Sequence, residues 1–230
     1  ERLKKEVDIP VFHDDQHGTA IVVLAALINC MRLKKTSPES QKVVISGCGA
    51  AGSSIIRMLY DYGFHKIYAF DADGCVDPDK SENYNSLKRE LLQYVNLDHQ
   101  HYTSLAEGMK GADIFIGVSA PHIVTESMIS SMNEGNIVFA MANPEPEITY
   151  EEVKKAGAYI IGTGRSDYPN QVNNLLAFPG LFRGTLDAKA TKITESMKIA
   201  AAKGLASLIS DEDLNPENVI VSAFDERVVP

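Results

Sequence analysis

Val43-Val-Ile-Ser46 runs directly into Gly47-Cys48-Gly49-Ala50-Ala51-Gly52, and apolar residues at helical spacing then continue to Tyr62. A short apolar strand, a glycine turn and a helix, in that order, form the setting in which a Gly-x-Gly-x-x-Gly pattern carries weight. The first glycine permits a tight turn, the second lets a pyrophosphate approach the backbone, and the third lets helix and strand pack closely. The helix N-terminus adds free N–H groups and a partial positive charge that favour phosphate. On this reading Gly47, Gly49, Ala50, Ala51 and Gly52 form a dinucleotide cradle. The competing reading is three glycines kept for packing alone.

The next apolar run, Ile67-Tyr-Ala-Phe70, predicts a second strand ending at Asp71, 19 residues after Gly52. An acid about 20 residues on accepts hydrogen bonds from an adenosine ribose. A carboxylate there repels a 2′-phosphate, and Ala72-Asp-Gly-Cys-Val-Asp77 contains no Arg or Lys to receive one. NAD is therefore favoured, with NADP as the alternative. An Asp that merely caps the turn before Gly74 fits the same position.

The alternation continues in both directions. Residues 18–35 read as a helix that is apolar nearly all round and so buried between layers. Residues 83–94 and 125–132 predict helices, and 112–118, 136–141 and 158–161 predict buried strands. This is the rhythm of an α/β protein, a Rossmann-type doubly wound, mostly parallel sheet with helices on both faces. A helical lead-in (1–35) precedes the dinucleotide-binding domain (36–230), and a long C-terminal helix over 188–209 closes it.

A formal net charge of -9, from 31 acids against 22 bases, argues against a nucleic-acid partner, because phosphate binding needs clustered Lys and Arg. Arg32-Leu-Lys-Lys35 is short and falls at a helix end, where cations are favoured anyway. The longest unbroken apolar run, Ala20 to Ile28, is far below the roughly 20 residues that span a bilayer. The first ten residues are charged, so no membrane segment or signal peptide is expected. Three cysteines, Cys30, Cys48 and Cys75, without a close pair, suit a reducing cytoplasm.

Chemistry concentrates in Asp8-Ile-Pro-Val-Phe-His-Asp-Asp-Gln-His-Gly-Thr-Ala20. Asp14 and Asp15 offer hard oxygen donors suited to Mg²⁺ or Mn²⁺. Adjacent side chains point in different directions, so one carboxylate can bind metal while the other orients it or shares a proton with substrate. His13 and His17 have a zinc-protease spacing, but the acids between them belong to no such motif. An Asp capping the helix near Gly18 is the bland alternative.

Further on, Gly117-Val-Ser-Ala-Pro121 ends a strand, and Ser119 is placed to donate to a nicotinamide ribose, though a plain turn explains it almost as well. Asn143 lies at a strand end, and Asn173 and Asn174 lie in a loop before Phe178-Pro-Gly180. Side-chain amides donate and accept without titrating, which suits holding reactants together, while turn formation is the alternative for each. Arg165 can meet a carboxylate or phosphate, or form a structural salt bridge.

The acid-pair signature, Gly47-Cys-Gly-Ala-Ala-Gly52, Met141-Ala-Asn-Pro-Glu-Pro146 and Asn173-Asn-Leu-Leu-Ala-Phe-Pro-Gly180, in this order, resemble the malic enzymes, metal-dependent oxidative decarboxylases of malate. The resemblance implies malate and pyruvate as partners, Asp15 as metal ligand with Asp14 supporting it as the catalytic pair, Asn143 and Asn174 on malate, and Asn143 and Asn173 on the cofactor. It also implies a homodimer or higher oligomer, and a further Glu-Asp metal pair, a catalytic Lys and Tyr and a substrate Arg upstream of the signature. None of those upstream groups is in this chain, which therefore reads as the later part of a longer enzyme, inactive alone. A malolactic enzyme and a non-catalytic NAD-binding module are the rival readings.

Overall fold

The computed structural model describes residues 3–229. Six strands, β1 (Lys42–Ser46), β2 (Lys66–Asp71), β3 (Gly74–Cys75), β4 (Ile114–Gly117), β5 (Ile137–Ala140) and β6 (Ile160–Thr163), form one sheet in the order β3-β2-β1-β4-β5-β6. All neighbours run parallel except β2 and β3. This is the mostly parallel Rossmann-type architecture expected. Winding reverses between β1 and β4, and it is at such a switch point that open α/β sheets bind ligands, outside the C-terminal strand ends.

Helices α1 (Leu3–Glu6), α2 (Thr19–Lys34), α3 (Ala50–Tyr62), α4 (Ser86–Leu91), α5 (Leu105–Met109), α6 (Glu126–Ser130), α7 (Tyr150–Lys155), α8 (Phe178–Asp187) and α9 (Glu195–Ser207) complete the fold. The period-2 geometry of the strands divides their side chains between two cores. Val43 and Ile45 join α2, α3 and α9 on one face, whereas Val44 joins residues of α5, α6 and α7 on the other. Both faces are covered, so the strands carry near-continuous apolar runs.

At the centre of the larger core lies α2. Ala20 through Leu27 are each 1% exposed or less. A π-helical turn at Asp14–Gly18 leads into this helix, and the combined stretch of 21 residues is long and apolar enough to cross a membrane by composition. Within the fold 72% of that apolar window is buried, as befits a core helix. Its partner is α9. The buried Asn29 amide donates to the Ala206 and Val219 carbonyls at 3.1 and 3.0 Å, and Arg32 reaches the Ile209 carbonyl at 3.3 Å. Arg32 thus serves the carbonyls after α9, groups that a helix end leaves without internal partners.

Two local expectations are corrected. Over 83–94 a 3₁₀ turn (Pro78–Asn83) precedes α4, because the side chains of Asp77 and Asn85 accept backbone N–H groups and start two separate turns. The expected helix over 188–209 starts late: α8 has ended at Asp187, Lys189 adopts φ 50°, and α9 begins only at Glu195, after the Thr194 cap. Phe178 and Pro179 begin α8; proline in the first helical turn is a start signal rather than a break. In addition β3, a two-residue antiparallel edge strand, was too short to register as a pattern.

Because Leu24 is fully buried in α2, Leu24→Ala is expected to destabilise the chain by about 3 kcal/mol through the lost transfer energy and the cavity. Urea denaturation followed by circular dichroism measures this. A loss below about 1 kcal/mol would show that α2 is not the core element it is here taken to be.

Candidate active site

The glycine loop separates packing from binding. A Cβ at Gly52 would lie 1.7 Å from the Gly47 carbonyl oxygen, and one at Gly47, whose φ is +112°, would lie 2.6 Å from the Val118 oxygen. Packing alone demands these two. At Gly49 an added Cβ meets nothing within 4 Å, so packing does not explain that glycine. Gly49 also lacks a side chain to cap α3, which leaves the N–H groups of Ala50, Ala51 and Gly52 directed at the sheet edge.

Asp71 ends β2 with both oxygens engaged. Oδ1 accepts the Asp73 N–H at 3.0 Å, and Oδ2 pairs with the Lys88 ammonium at 2.6 Å. The same ammonium meets Asp73 at 2.6 Å, and its two carboxylate partners, outweighing its own burial, hold the Lys88 pKa above its ordinary value. The sequence neighbourhood offers no base to a 2′-phosphate, yet the fold brings one in from α4. Asp71 thus caps the turn before Gly74, as the alternative reading held.

At the ends of β1, β4 and β5 the hydroxyls and a carboxylate form one string. Ser46 Oγ lies 2.9 Å from Ser119 Oγ. Ser119 donates its N–H (2.8 Å) and its hydroxyl (3.3 Å) to Glu147 Oε1, and Ala142 N–H donates to Glu147 Oε2 at 3.0 Å. Ser119, expected to donate to a ribose, has its hydroxyl between Ser46 Oγ and Glu147 Oε1. Glu147, 0% exposed, was missed by the sequence reading. Its only signal was the second acid in the Pro144-Glu-Pro-Glu147 run, which composition alone assigns to the surface.

The acid pair sits in the π-helical turn before α2 rather than at its cap. Gly18 holds the cap position, and no side chain caps it. The capping role is therefore not what these acids do. Asp14 is half-buried, and Asn174 Nδ2 donates to its Oδ2 at 2.7 Å across 160 positions of sequence. Its Oδ1 is buried with no hydrogen-bond partner among the described residues. Burial first, and the neighbouring Asp15 charge second, raise the Asp14 pKa. Asp15 is exposed, its carboxylate unbonded among the described residues. An orphaned buried oxygen beside a second, open carboxylate is a donor set that fits a divalent cation.

Asn173 Oδ1 accepts the Leu175 N–H at 3.0 Å and starts the short turn carrying Asn174, which leaves its NH₂ for a ligand. Asn143 is exposed just beyond β5. His17 is buried and its Nδ1 accepts the His13 N–H at 3.3 Å. Arg165 grips Asp167 through two bonds of 2.9 and 2.7 Å and acts as a surface salt bridge. The three cysteines are buried and unpaired, and burial pushes Cys48 up to about 12 and Cys75 to about 11.

The family model described as the NAD-binding domain of malic enzyme matches residues 16–222. The chain is 51% identical over 230 residues to a bifunctional malic/malolactic enzyme of Bacillus subtilis, covering all of this chain and 56% of that protein. It is 46% identical over 228 residues to an NAD-dependent malic enzyme of Geobacillus stearothermophilus, covering 99% of this chain and 47% of the relative. A crystal structure of the NAD-dependent malic enzyme of Thermotoga maritima superposes with a TM-score of 0.93 at 42% identity, covering 99% of this chain and 59% of that one. The chain thus spans about half the length of these relatives.

Open space at Gly49 and crowding at Gly52 give opposite expectations for the same substitution. Gly49→Ala should fold with wild-type thermal stability and lose NAD affinity by about tenfold or more, because the methyl occupies the phosphate approach. Gly52→Ala should lose stability as well as binding. Calorimetric titration beside a thermal melt tests both, and wild-type NAD affinity in Gly49→Ala would refute the cradle.

Proposed function

Since the chain belongs to the malic enzymes, we propose that it forms the cofactor-binding and metal-site half of an enzyme that oxidises malate and releases CO₂ to give pyruvate. The hydrogen bond from Asn174 to Asp14 carries this reading. It draws an acid pair with an orphaned oxygen to the sheet edge that also holds the dinucleotide loop.

In this proposal Asp15 ligates Mg²⁺ or Mn²⁺, and Asp14 orients it and shares its charge. Such a cation, when bound, polarises the C2 oxygen of the hydroxy acid and takes up negative charge as CO₂ leaves. Asn143 and Asn174 would hold malate, and Asn143, Asn173 and Ser119 would hold the nicotinamide end, so that the two reactants are positioned together; the cofactor, when bound, would supply the hydride acceptor. The chain's open sheet edge, with Asn143 and Asp15 exposed, favours closure of the site by the rest of the polypeptide, and this half alone is proposed to be inactive. A homodimer or higher oligomer, located in the cytoplasm, is part of the same proposal, and three buried thiols suit that compartment.

NAD is proposed as the preferred cofactor, by a narrow margin. Two carboxylates, Asp71 and Asp73, face one ammonium, Lys88, so the local balance still opposes a 2′-phosphate. Lys88→Ala should weaken NADP by about tenfold or more, the loss of a charge-assisted hydrogen bond, and leave NAD nearly unchanged. Paired titrations with the two cofactors test it; equal losses for both would remove Lys88 from the discrimination.

A relative named bifunctional malic/malolactic enzyme makes lactate the alternative product, which analysis of the full-length reaction mixture distinguishes from pyruvate. In that full-length enzyme Asp15→Ala should abolish Mn²⁺-dependent malate oxidation, weaken the metal by about tenfold or more, and leave NAD binding nearly intact. Retained turnover and metal affinity would assign Asp15 no more than a structural place in its turn.

A further inference from the structure

We propose that Glu147 is a positioning residue, whose two carboxylate oxygens set the spacing between the cofactor loop at Ser119 and the asparagine loop at Ala142 and Asn143. This rests on the malic-enzyme reading above and adds a residue to it.

Two amides from different loops converge on opposite oxygens of one side chain, Ser119 N–H on Oε1 at 2.8 Å and Ala142 N–H on Oε2 at 3.0 Å. The fixed separation of those oxygens therefore fixes the loops. The same loops are joined a second time through backbone, since His122 N–H donates to the Pro146 carbonyl and Val124 N–H to the Glu147 carbonyl, both at 3.1 Å. Through Ser119 and Ser46 the string continues to the end of β1, where the glycine loop begins.

A fully buried acid with no ion pair among the described residues is costly unless its lone pairs are satisfied. Here three donors satisfy it, all from residues at the ligand-facing edge. The fold also makes room for it: a Cβ on Gly117 would fall 2.3 Å from the Glu147 carboxylate carbon, so the last residue of β4 can only be glycine while Glu147 keeps this place. Any neutral isostere loses the arrangement. Glutamine offers one acceptor and one NH₂, and the NH₂ must then face a backbone N–H, donor against donor.

The consequence is specific to relative position. Ser119 and Asn143 are the chain's groups proposed for the nicotinamide end and for malate, so slackening the bridge moves one reactant against the other without removing a ligand contact from either. Small misplacements of this kind cost up to about a hundredfold in rate. In the full-length enzyme Glu147→Gln is expected to bind NAD and malate within about threefold of wild type while kcat falls by about tenfold to a hundredfold. The primary isotope effect with 2-deuterated malate should rise, because hydride transfer becomes the slow step.

A merely structural Glu147 would lower the folded fraction and leave kcat per folded molecule and the isotope effect unchanged; that result overturns the proposal. So does a raised KM at wild-type kcat, which would make Glu147 a binding aid alone. Should Glu147→Gln fail to fold, Glu147→Asp keeps both acceptors and draws them back by one methylene; the same rise in isotope effect is expected, and wild-type kinetics in it overturn the inference. A wild-type full-length protein that does not oxidise malate would instead sink the malic-enzyme reading, and this is seen before any variant is made.

Discussion

Burial of α2 between the sheet and α9 is the constraint from which the site follows. A helix whose residues from Ala20 to Leu27 are almost wholly withdrawn from water has little freedom to slide or rotate, because each side chain already fills a place in a close-packed interior. The π-helical turn at Asp14–Gly18 continues that helix, so the acid pair inherits its position. Gly18 completes the fit: a Cβ there would lie 2.2 Å from Asp14 Oδ1 and 3.0 Å from Asn174 Cβ. The absence of a side chain at Gly18 is thus what allows Asp14 and Asn174 to meet.

The ligand edge is held by polar groups in proportion to how deeply each is buried. Asp14 and Glu147 both lose hydration, but Glu147 recovers three donors, whereas Asp14 recovers one and keeps an oxygen without a partner. An unsatisfied buried acceptor costs roughly 1–3 kcal/mol, a cost that a cation held as proposed above would offset. The contrast separates a carboxylate whose donors are complete in this chain from one whose second oxygen has no partner among the described residues. Lys88 shows a third arrangement, an ammonium with 12% of its side chain exposed, shared by Asp71 and Asp73, in which opposing charges leave a small net bias at the place expected for the ribose.

The mostly parallel sheet was legible because buried parallel strands announce themselves as apolar runs, and Gly47 and Gly52 because a turn that must pass close to a carbonyl tolerates no other residue; the strand order came only from the fold. Short elements were not. The helix α4 and the strand β3 are set by single side-chain caps at Asn85 and Asp71, and a period cannot be read from so few residues. The break between α8 and α9 depends on the left-handed conformation of Lys189, a residue with no local preference for it.

What the sequence by itself determined was the α/β class, the dinucleotide loop and the presence of an acid pair beside an apolar helix, since each rests on neighbours in the chain and on the periodicity of buried side chains. Only the tertiary structure decided that Asn174 reaches Asp14, that Lys88 stands at Asp71, and that Glu147 ties Ser119 to Ala142. These are contacts between residues far apart or on different loops, made by polar side chains whose types recur all over a protein surface. Their partners are chosen by the packing that carries them, and no local pattern records that choice.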